Sequence, residues 1–230
     1  DPLISFNERK RLFILPRSQW SDYNSNLISK GGDVYERSAK TIAISNQAMQ
    51  LLDIEDPIIT PDELINKILL ANVDLIWNGG IGTYIKASDE SHLDVGDKAN
   101  DSLRCNGRDI RAKVIAEGGN LGCSQRGRVE YAQAGGKINT DFIDNSAGVD
   151  CSDHEVNIKI AFESAIKNAN LSVEKRNKLL EIMTDAVANL VLSDNENQTQ
   201  ALTIVERSNA YNTGMFARLI EYLETHGSLN

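Results

Sequence analysis

Short apolar runs that end in glycine or amide residues recur through the first two thirds of the chain. The runs cover residues 73–77, 112–116 and 138–143, and they lead into Asn78-Gly79-Gly80, Glu117-Gly118-Gly119-Asn120 and Asp144-Asn145. A segment with helical spacing, 124–134, separates the last two runs and is closed by two glycines. Strand, helix and strand in this order predict a βαβ unit with parallel strands.

Other signals predict helices before and after this unit. Thr60-Pro61-Asp62-Glu63 has the form of a capping box with proline at the first helical position, so a helix should begin there. After Gly148 the apolar residues recur every three or four positions, which predicts helices to the end of the chain. Ser152 is predicted to cap the first of these helices, since residues 152–155 also have the form of a capping box. The polar stretch 193–200 predicts a loop, and one or two further helices, interrupted near Gly214, are expected to run to Glu224.

Composition and charge exclude several classes of protein. The 230 residues are 41% hydrophobic and 25% charged, which is ordinary for a protein with a packed core. The net charge of −9 and the pI near 4.9 argue against nucleic acid as a partner, because phosphate binding needs a clustered basic surface. No apolar run approaches the roughly 20 residues that cross a bilayer, and no secretory signal is visible. We therefore expect no membrane partner.

The cysteines and histidines do not predict a metal site. An odd number of cysteines without CxxC spacing, Cys105, Cys123 and Cys151, fits a reducing cytoplasm better than a disulfide framework. Cys151 and His154 lie near a predicted helix start, where adjacent side chains fan out and do not converge on zinc. As a nucleophilic pair they lack an orienting motif. We predict a cytoplasmic protein without a bound metal.

The residues that follow the apolar runs are candidate ligand-binding groups, because ligands of open α/β sheets bind at the carboxyl ends of the strands. Gly79 and Gly80 would let the backbone approach a phosphate or ribose closely, although a tight turn explains them equally well. Asn120 can donate and accept together, which suits a ribose hydroxyl or a carboxamide, although turn chemistry also explains Gly-Gly-Asn. Ser152, at a predicted helix N-terminus, would favour a carboxylate there or only cap its helix.

Three stretches of the chain resemble the NAD-specific glutamate dehydrogenases of very large subunit size. They are residues 74–85 (DLIWNGGIGTYI), 112–120 (AKVIAEGGN) and 139–155 (NTDFIDNSAGVDCSDHE). The small hexameric glutamate dehydrogenases show a more distant likeness. Their Ala-Glu-Gly-Ala-Asn motif is matched by residues 116–120 with Gly119 in place of the second alanine. Their Asn-Ala-Gly-Gly-Val motif is matched by residues 145–149 with Ser146 and Ala147 as substitutions.

This resemblance implies a role for each matched position. Asn120 would approach the nicotinamide ribose, Asn145 would lie beside the nicotinamide carboxamide, and Ser152 would bind a substrate carboxylate. Gly79 and Gly80 would line the cofactor cleft. The full set of expected cofactor-binding residues is Asn78, Gly79, Gly80, Glu117, Gly118, Gly119, Asn120 and Asn145. No catalytic residue is expected within the chain.

The resemblance also implies an incomplete enzyme. The expected fold is α/β, with a partial Rossmann-like parallel sheet in residues 1–150 that lacks its first βαβ unit, and a helical segment in residues 151–230. The chain begins at Asp1 without methionine and contains no GxGxxG motif. We therefore expect the phosphate loop, the catalytic lysine and the catalytic aspartate upstream, and we expect the isolated fragment to be inactive. Residues 86–108 receive no role.

The expected activity of the parent enzyme is NAD-dependent oxidative deamination of L-glutamate to 2-oxoglutarate and ammonia, in amino-acid metabolism. NAD is the expected cofactor, and the full-length enzyme is expected to be a homo-oligomer. Two alternatives stay open at this point. One is another amino-acid dehydrogenase of the same superfamily, and the other is a non-catalytic binding or assembly module.

Overall fold

A computed structural model describes residues 1–168, 170–207 and 213–229. The chain divides into two units, Asp1–Asp141 and Phe142–Asn230. The helices are α1 (Pro2–Ile14), α2 (Asn46–Leu52), α3 (Pro61–Leu69), α4 (His92–Val95), α5 (Gln125–Gln133), α6 (Asp141–Asp144), α7 (Ser146–Lys167), α8 (Val173–Arg207) and α9 (Thr213–Thr225). The strands are β1 (Ile42–Ala43), β2 (Ile58–Ile59), β3 (Leu75–Asn78), β4 (Ile85–Lys86), β5 (Cys105–Asn106), β6 (Val114–Glu117) and β7 (Lys137–Ile138).

The main sheet of the first unit is parallel, as predicted. Its strand order is β3-β6-β7, and β3 pairs with β6 from Leu75↔Val114 to Asn78↔Glu117. Helix α5 connects β6 to β7 and is capped by Ser124, whose hydroxyl accepts a hydrogen bond of 3.0 Å from the Gly127 N–H. The two other sheets have two strands each, β1 with β2 antiparallel and β4 with β5 parallel. The fold is therefore mixed α/β with a small parallel sheet and long C-terminal helices.

Two hydrophobic clusters stabilise the first unit. One cluster lies between the main sheet, β4, β5 and α5, and its buried members are Ile85, Cys105, Ile110, Ala112, Ile115, Cys123 and Tyr131. The Tyr131 hydroxyl is satisfied there by the carbonyl of Ala112 at 2.8 Å. The second cluster surrounds β1 and β2 and contains Ile42, Ile44, Ile54 and Ile59. Helix α3 begins as predicted, with Thr60 and Glu63 forming a reciprocal capping box and Pro61 at the first turn.

The third predicted strand is wrong over most of its length. Strand β7 ends at Ile138, and helix α6 begins at Asp141. Asn139, Thr140 and Asp141 favour turns and helix starts, because their side chains compete for nearby backbone groups. In the helix Ile143 is buried, whereas Phe142 is exposed. Asn145 therefore follows a helix and not a strand.

The predicted helix start at Ser152 is also wrong. Helix α7 begins at Ser146 with Asn145 at its N-cap position, so Ser152 lies in the second turn. Its hydroxyl donates to the Gly148 carbonyl at 3.0 Å, the bond to the preceding turn that serine makes inside a helix. Ser152 is therefore not a helix cap.

The second unit consists mainly of α7 packed on α8. The polar stretch 193–200, predicted as a loop, is helical within α8. Two of its side chains contact α7: Asn195 Nδ2 donates to Ser146 Oγ at 2.7 Å, and Asp194 lies 3.4 Å from His154 Nε2. These contacts explain why a polar stretch stays helical. Gly214, near which an interruption was predicted, lies in the first turn of α9, which begins at Thr213. Residues 208–212 before it lie outside the described residues. No described helix combines the length and apolar character that a membrane span requires.

Candidate functional site

Two loops follow the main strands of the first unit and meet at the carboxyl edge of the sheet. Loop 79–84 follows β3, which ends at Asn78, and loop 118–124 follows β6, which ends at Glu117. The Gly118 N–H donates to the Asn78 carbonyl at 2.7 Å, which extends the strand pairing into the loops. Further along, the Tyr84 N–H donates to the Gly122 carbonyl at 2.8 Å. The structure thus brings together the expected site residues 78–80 and 117–120.

Gly118 and Gly119 leave no room for a side chain where these loops touch. A Cβ atom on Gly119 would collide with the carbonyl oxygen of Gly80, and a Cβ on Gly118 would lie 2.8 Å from the Trp77 ring. The small glutamate dehydrogenases have alanine at the position of Gly119. In this chain the backbone of the neighbouring loop occupies the space that such a methyl group needs.

Glu117 is completely buried beneath its loop. Its side chain has 0% exposure, and its carboxylate accepts two hydrogen bonds from Arg128, at 2.8 Å from Nε and 3.1 Å from Nη2. Oxygen Oε2 also accepts from the Gly122 N–H at 2.9 Å. The structure therefore places Glu117 under the loop, where it orders the backbone. Its expected contact with the cofactor stays a prediction.

Residues 86–108 contact the loop that follows β3 and hold its backbone at Thr83. The Arg104 side chain is fully buried and donates from Nε to the Thr83 carbonyl at 2.8 Å and from Nη2 to the Asp97 carbonyl at 2.6 Å. The Asp97 carboxylate accepts from the Thr83 N–H at 2.8 Å. This hydrogen bond, followed by that of the Asn100 amide, holds the pKa of Asp97 below its ordinary value of 3.8. The segment to which the sequence assigned no role thus fixes both backbone groups of Thr83.

Sequence reasoning missed Arg104, Asp97 and Arg128. Arg104 and Asp97 stand 21 and 14 residues from their Thr83 partner in the chain, and Arg128 stands 11 from Glu117. No local spacing rule pairs residues so far apart. The one feature of the sequence that pointed to a role for this region was the length of segment 86–108.

The other two expected site residues lie in the second unit. Asn145 precedes the first residue of α7, and Ser152 is exposed on the second turn of the same helix. Between them, Oδ2 of Asp150 is buried without a hydrogen-bond partner. The roles of Asn145 and Ser152 toward cofactor and substrate stay predictions.

The two cysteines of the first unit are buried, which disfavours their thiolate forms. Burial raises the pKa of the Cys105 thiol to about 12, and burial together with the nearby Glu117 carboxylate raises that of Cys123 further. Cys151, in contrast, is exposed. Within the described ranges, no group of three or more His, Cys, Asp and Glu side chains is placed to hold a metal ion.

Comparison with known proteins identifies the family of the chain. Residues 1–205 match the family described as bacterial NAD-glutamate dehydrogenase, catalytic domain. The chain belongs to the bacterial NAD-glutamate dehydrogenases. The family predicted from the three motif stretches is thereby confirmed.

Three relatives, each named NAD-specific glutamate dehydrogenase, match the whole length of this chain. It is 54% identical over 230 residues to the protein of Pseudomonas aeruginosa and 51% identical over 230 residues to that of Halomonas elongata. It is 50% identical over 236 residues to that of Mycobacterium tuberculosis. Each match covers 100% of this chain but 14% of the relative. The chain thus spans about one seventh of the length of these dehydrogenases.

Proposed function

We propose that this chain forms the nicotinamide-binding edge and part of the glutamate site of an NAD-dependent glutamate dehydrogenase. The reaction is oxidative deamination of L-glutamate to 2-oxoglutarate and ammonia, carried out in the cytoplasm by a homo-oligomer. The observation that carries the proposal is the pair of parallel strands, β3 and β6, whose ends lie in register at Asn78 and Glu117. The loops after such strands are where open α/β sheets bind ligands.

The groups at this edge fit the nicotinamide end of NAD. Asn78 and Asn120 carry amides that can donate and accept with ribose hydroxyls and a carboxamide. Each loop also has an exposed apolar side chain, Ile81 at 94% and Leu121 at 62% exposure, which suits an aromatic ring face. The chain contains no glycine-rich phosphate loop, so the pyrophosphate would be held by other parts of the polypeptide, as in a Rossmann domain whose first βαβ unit lies outside this sequence.

The chemistry that NAD supplies when bound is acceptance of a hydride from the substrate Cα at nicotinamide C4. The residues of this chain bind and orient. In the first unit Asn120 would hold the ribose. In the second unit Asn145 would hold the carboxamide and Ser152 one carboxylate of glutamate. Each group would orient the molecule that it binds. Proton transfer is left to groups outside the chain. The isolated chain is therefore expected to be inactive.

The experiment compares alanine variants in a full-length enzyme that contains this sequence. The Ser152 hydroxyl already donates to the Gly148 carbonyl at 3.0 Å. A hydrogen bond to the glutamate carboxylate would therefore replace this hydrogen bond to a neutral acceptor. The net loss in Ser152→Ala should be near the lower end of the 1.5–3 kcal/mol range for charged hydrogen bonds, roughly tenfold in kcat/KM for glutamate. The KM for NAD should change little.

Asn120→Ala and Asn145→Ala should show the reverse selectivity, a higher KM for NAD with the KM for glutamate nearly unchanged. Ser164→Ala is the matched control, since Ser164 is also an exposed serine of α7. It should leave both constants at wild-type values. If Ser152→Ala has the same kinetic constants as Ser164→Ala, Ser152 does not bind the glutamate carboxylate. If Asn120→Ala uses NAD normally, Asn120 does not bind the nicotinamide ribose, and the same result for Asn145→Ala removes Asn145 from the cofactor site.

A further inference from the structure

Arg128 joins two carboxylates beneath the loop that carries Asn120. Its Nε and Nη2 bind both oxygens of Glu117, at 2.8 and 3.1 Å, and Nη2 lies 3.4 Å from Oδ1 of Asp141. The side chains are 7% exposed for Arg128, 0% for Glu117 and 15% for Asp141. The single positive charge of the guanidinium attracts both carboxylates and offsets part of the repulsion between them in a region with little water.

Each carboxylate uses an oxygen to hold one backbone N–H after Asn120. Oδ2 of Asp141 accepts from the Leu121 N–H at 2.8 Å, and Oε2 of Glu117 accepts from the Gly122 N–H at 2.9 Å. The carbonyls of the same two residues are also occupied. That of Leu121 accepts from the Thr83 hydroxyl at 2.7 Å, and that of Gly122 accepts from the Tyr84 N–H at 2.8 Å.

The backbone conformation at this point depends on those contacts. Leu121 has φ 56°, in the left-handed region that a leucine adopts only when its surroundings impose it. The next residue, Gly122, has no space for a Cβ because the Asn78 side chain occupies it. The direction in which the chain leaves Asn120 is therefore determined by the two carboxylates, and Arg128 holds both.

We propose that Arg128 is a positioning residue of the dehydrogenase. Through Glu117 and Asp141 it fixes the backbone after Asn120 and so sets where the Asn120 amide meets the nicotinamide ribose. This inference rests on the proposed function of the loop. It assigns a role in cofactor use to an arginine that would not itself touch the cofactor.

The test uses the full-length enzyme with Arg128→Lys, assayed well below its melting temperature. Lysine keeps the charge but cannot bridge two carboxylates with a planar fork. A shift of about 1 Å in a positioning group costs up to about a hundredfold, so kcat/KM for NAD should fall by between about tenfold and a hundredfold. The KM for glutamate should stay within about twofold of the wild-type value.

Two controls on α5 separate positioning from loss of stability. Tyr131→Phe removes the buried hydrogen bond to the Ala112 carbonyl without touching the loop, so it should lower Tm and leave the kinetic constants unchanged. Arg126→Lys alters an exposed arginine that pairs with Asp89 and should change neither. If Arg128→Lys lowers Tm but matches Tyr131→Phe in its kinetics, Arg128 is only structural and the proposal is wrong.

Asp141→Ala keeps the test decisive if Arg128→Lys does not fold. It leaves the Arg128–Glu117 pair in place and removes the acceptor of the Leu121 N–H together with the 3.4 Å contact to Arg128. Impaired NAD use with normal glutamate binding supports the proposal, and wild-type kinetics overturns it. Asn120→Ala distinguishes failure of the positioning role of Arg128 from failure of the proposed function of the loop. If Asn120→Ala impairs NAD use and both other variants do not, the loop binds NAD but Arg128 does not position it.

Discussion

Replacing Gly119 with alanine tests the close approach of the two loops. Neither Gly119 nor Gly80 lies in the left-handed region, so alanine introduces no backbone strain at either position. The added methyl group on residue 119 would, however, overlap the carbonyl oxygen of Gly80. Restoring an ordinary contact of about 3.5 Å requires the loops to separate by about 1 Å. Overpacking of this kind costs about 1–3 kcal/mol.

The assay is thermal and urea unfolding of the 230-residue chain. For a domain of this size each kcal/mol shifts Tm by about 2–4 °C, so Gly119→Ala should melt about 2–12 °C lower. Separation of the strand-end loops should also weaken NAD use in the full-length enzyme, because Asn120 is the next residue.

Gly80→Ala is the matched control on the opposite side of the same contact. Its Cβ would lie 3.6 Å from the Tyr84 hydroxyl, an ordinary distance. Because alanine reduces the freedom of the unfolded chain, this variant should be stabilised by about 0.4–1 kcal/mol. The reasoning fails if Gly119→Ala is as stable as Gly80→Ala, since the loops would then separate without cost.

Two further predictions concern ionisable groups. Hydrogen bonds from the Thr83 N–H and then from Asn100 lower the pKa of Asp97 below its ordinary value of 3.8. Its contribution to stability is therefore present above that ordinary value and is lost as pH falls through the folded value. Asp97→Asn should therefore flatten the decline of the unfolding free energy below about pH 4 in urea titrations, and an unchanged slope would argue against this bond. Thiol labelling of the native chain should modify the exposed Cys151 and spare the buried Cys105 and Cys123 until the chain is unfolded; rapid labelling of all three thiols would contradict the packing around β5 and β6.

The sequence alone determined the features that depend on neighbours within a few residues. The capping box at Thr60 and Glu63 and the helix from Ser124 were predictable because a side chain reaches a backbone group three positions away. The parallel pairing of β3 and β6 followed from apolar runs joined by long connections. The strand-end motifs also predicted the family that the match over residues 1–205 confirms.

Only the tertiary structure decided features that depend on distant partners. Residues 138–143 have strand-like composition, yet β7 ends at Ile138, where its pairing with β6 stops. The polar stretch 193–200 stays helical because Asn195 bonds to Ser146, a residue 49 positions earlier. The sequence also did not predict that Arg128 bridges Glu117 and Asp141, because these residues are far apart along the chain. The free energy of each pairing comes from groups that meet only after the sheet and helices have formed. A local sequence pattern therefore does not predict these pairings.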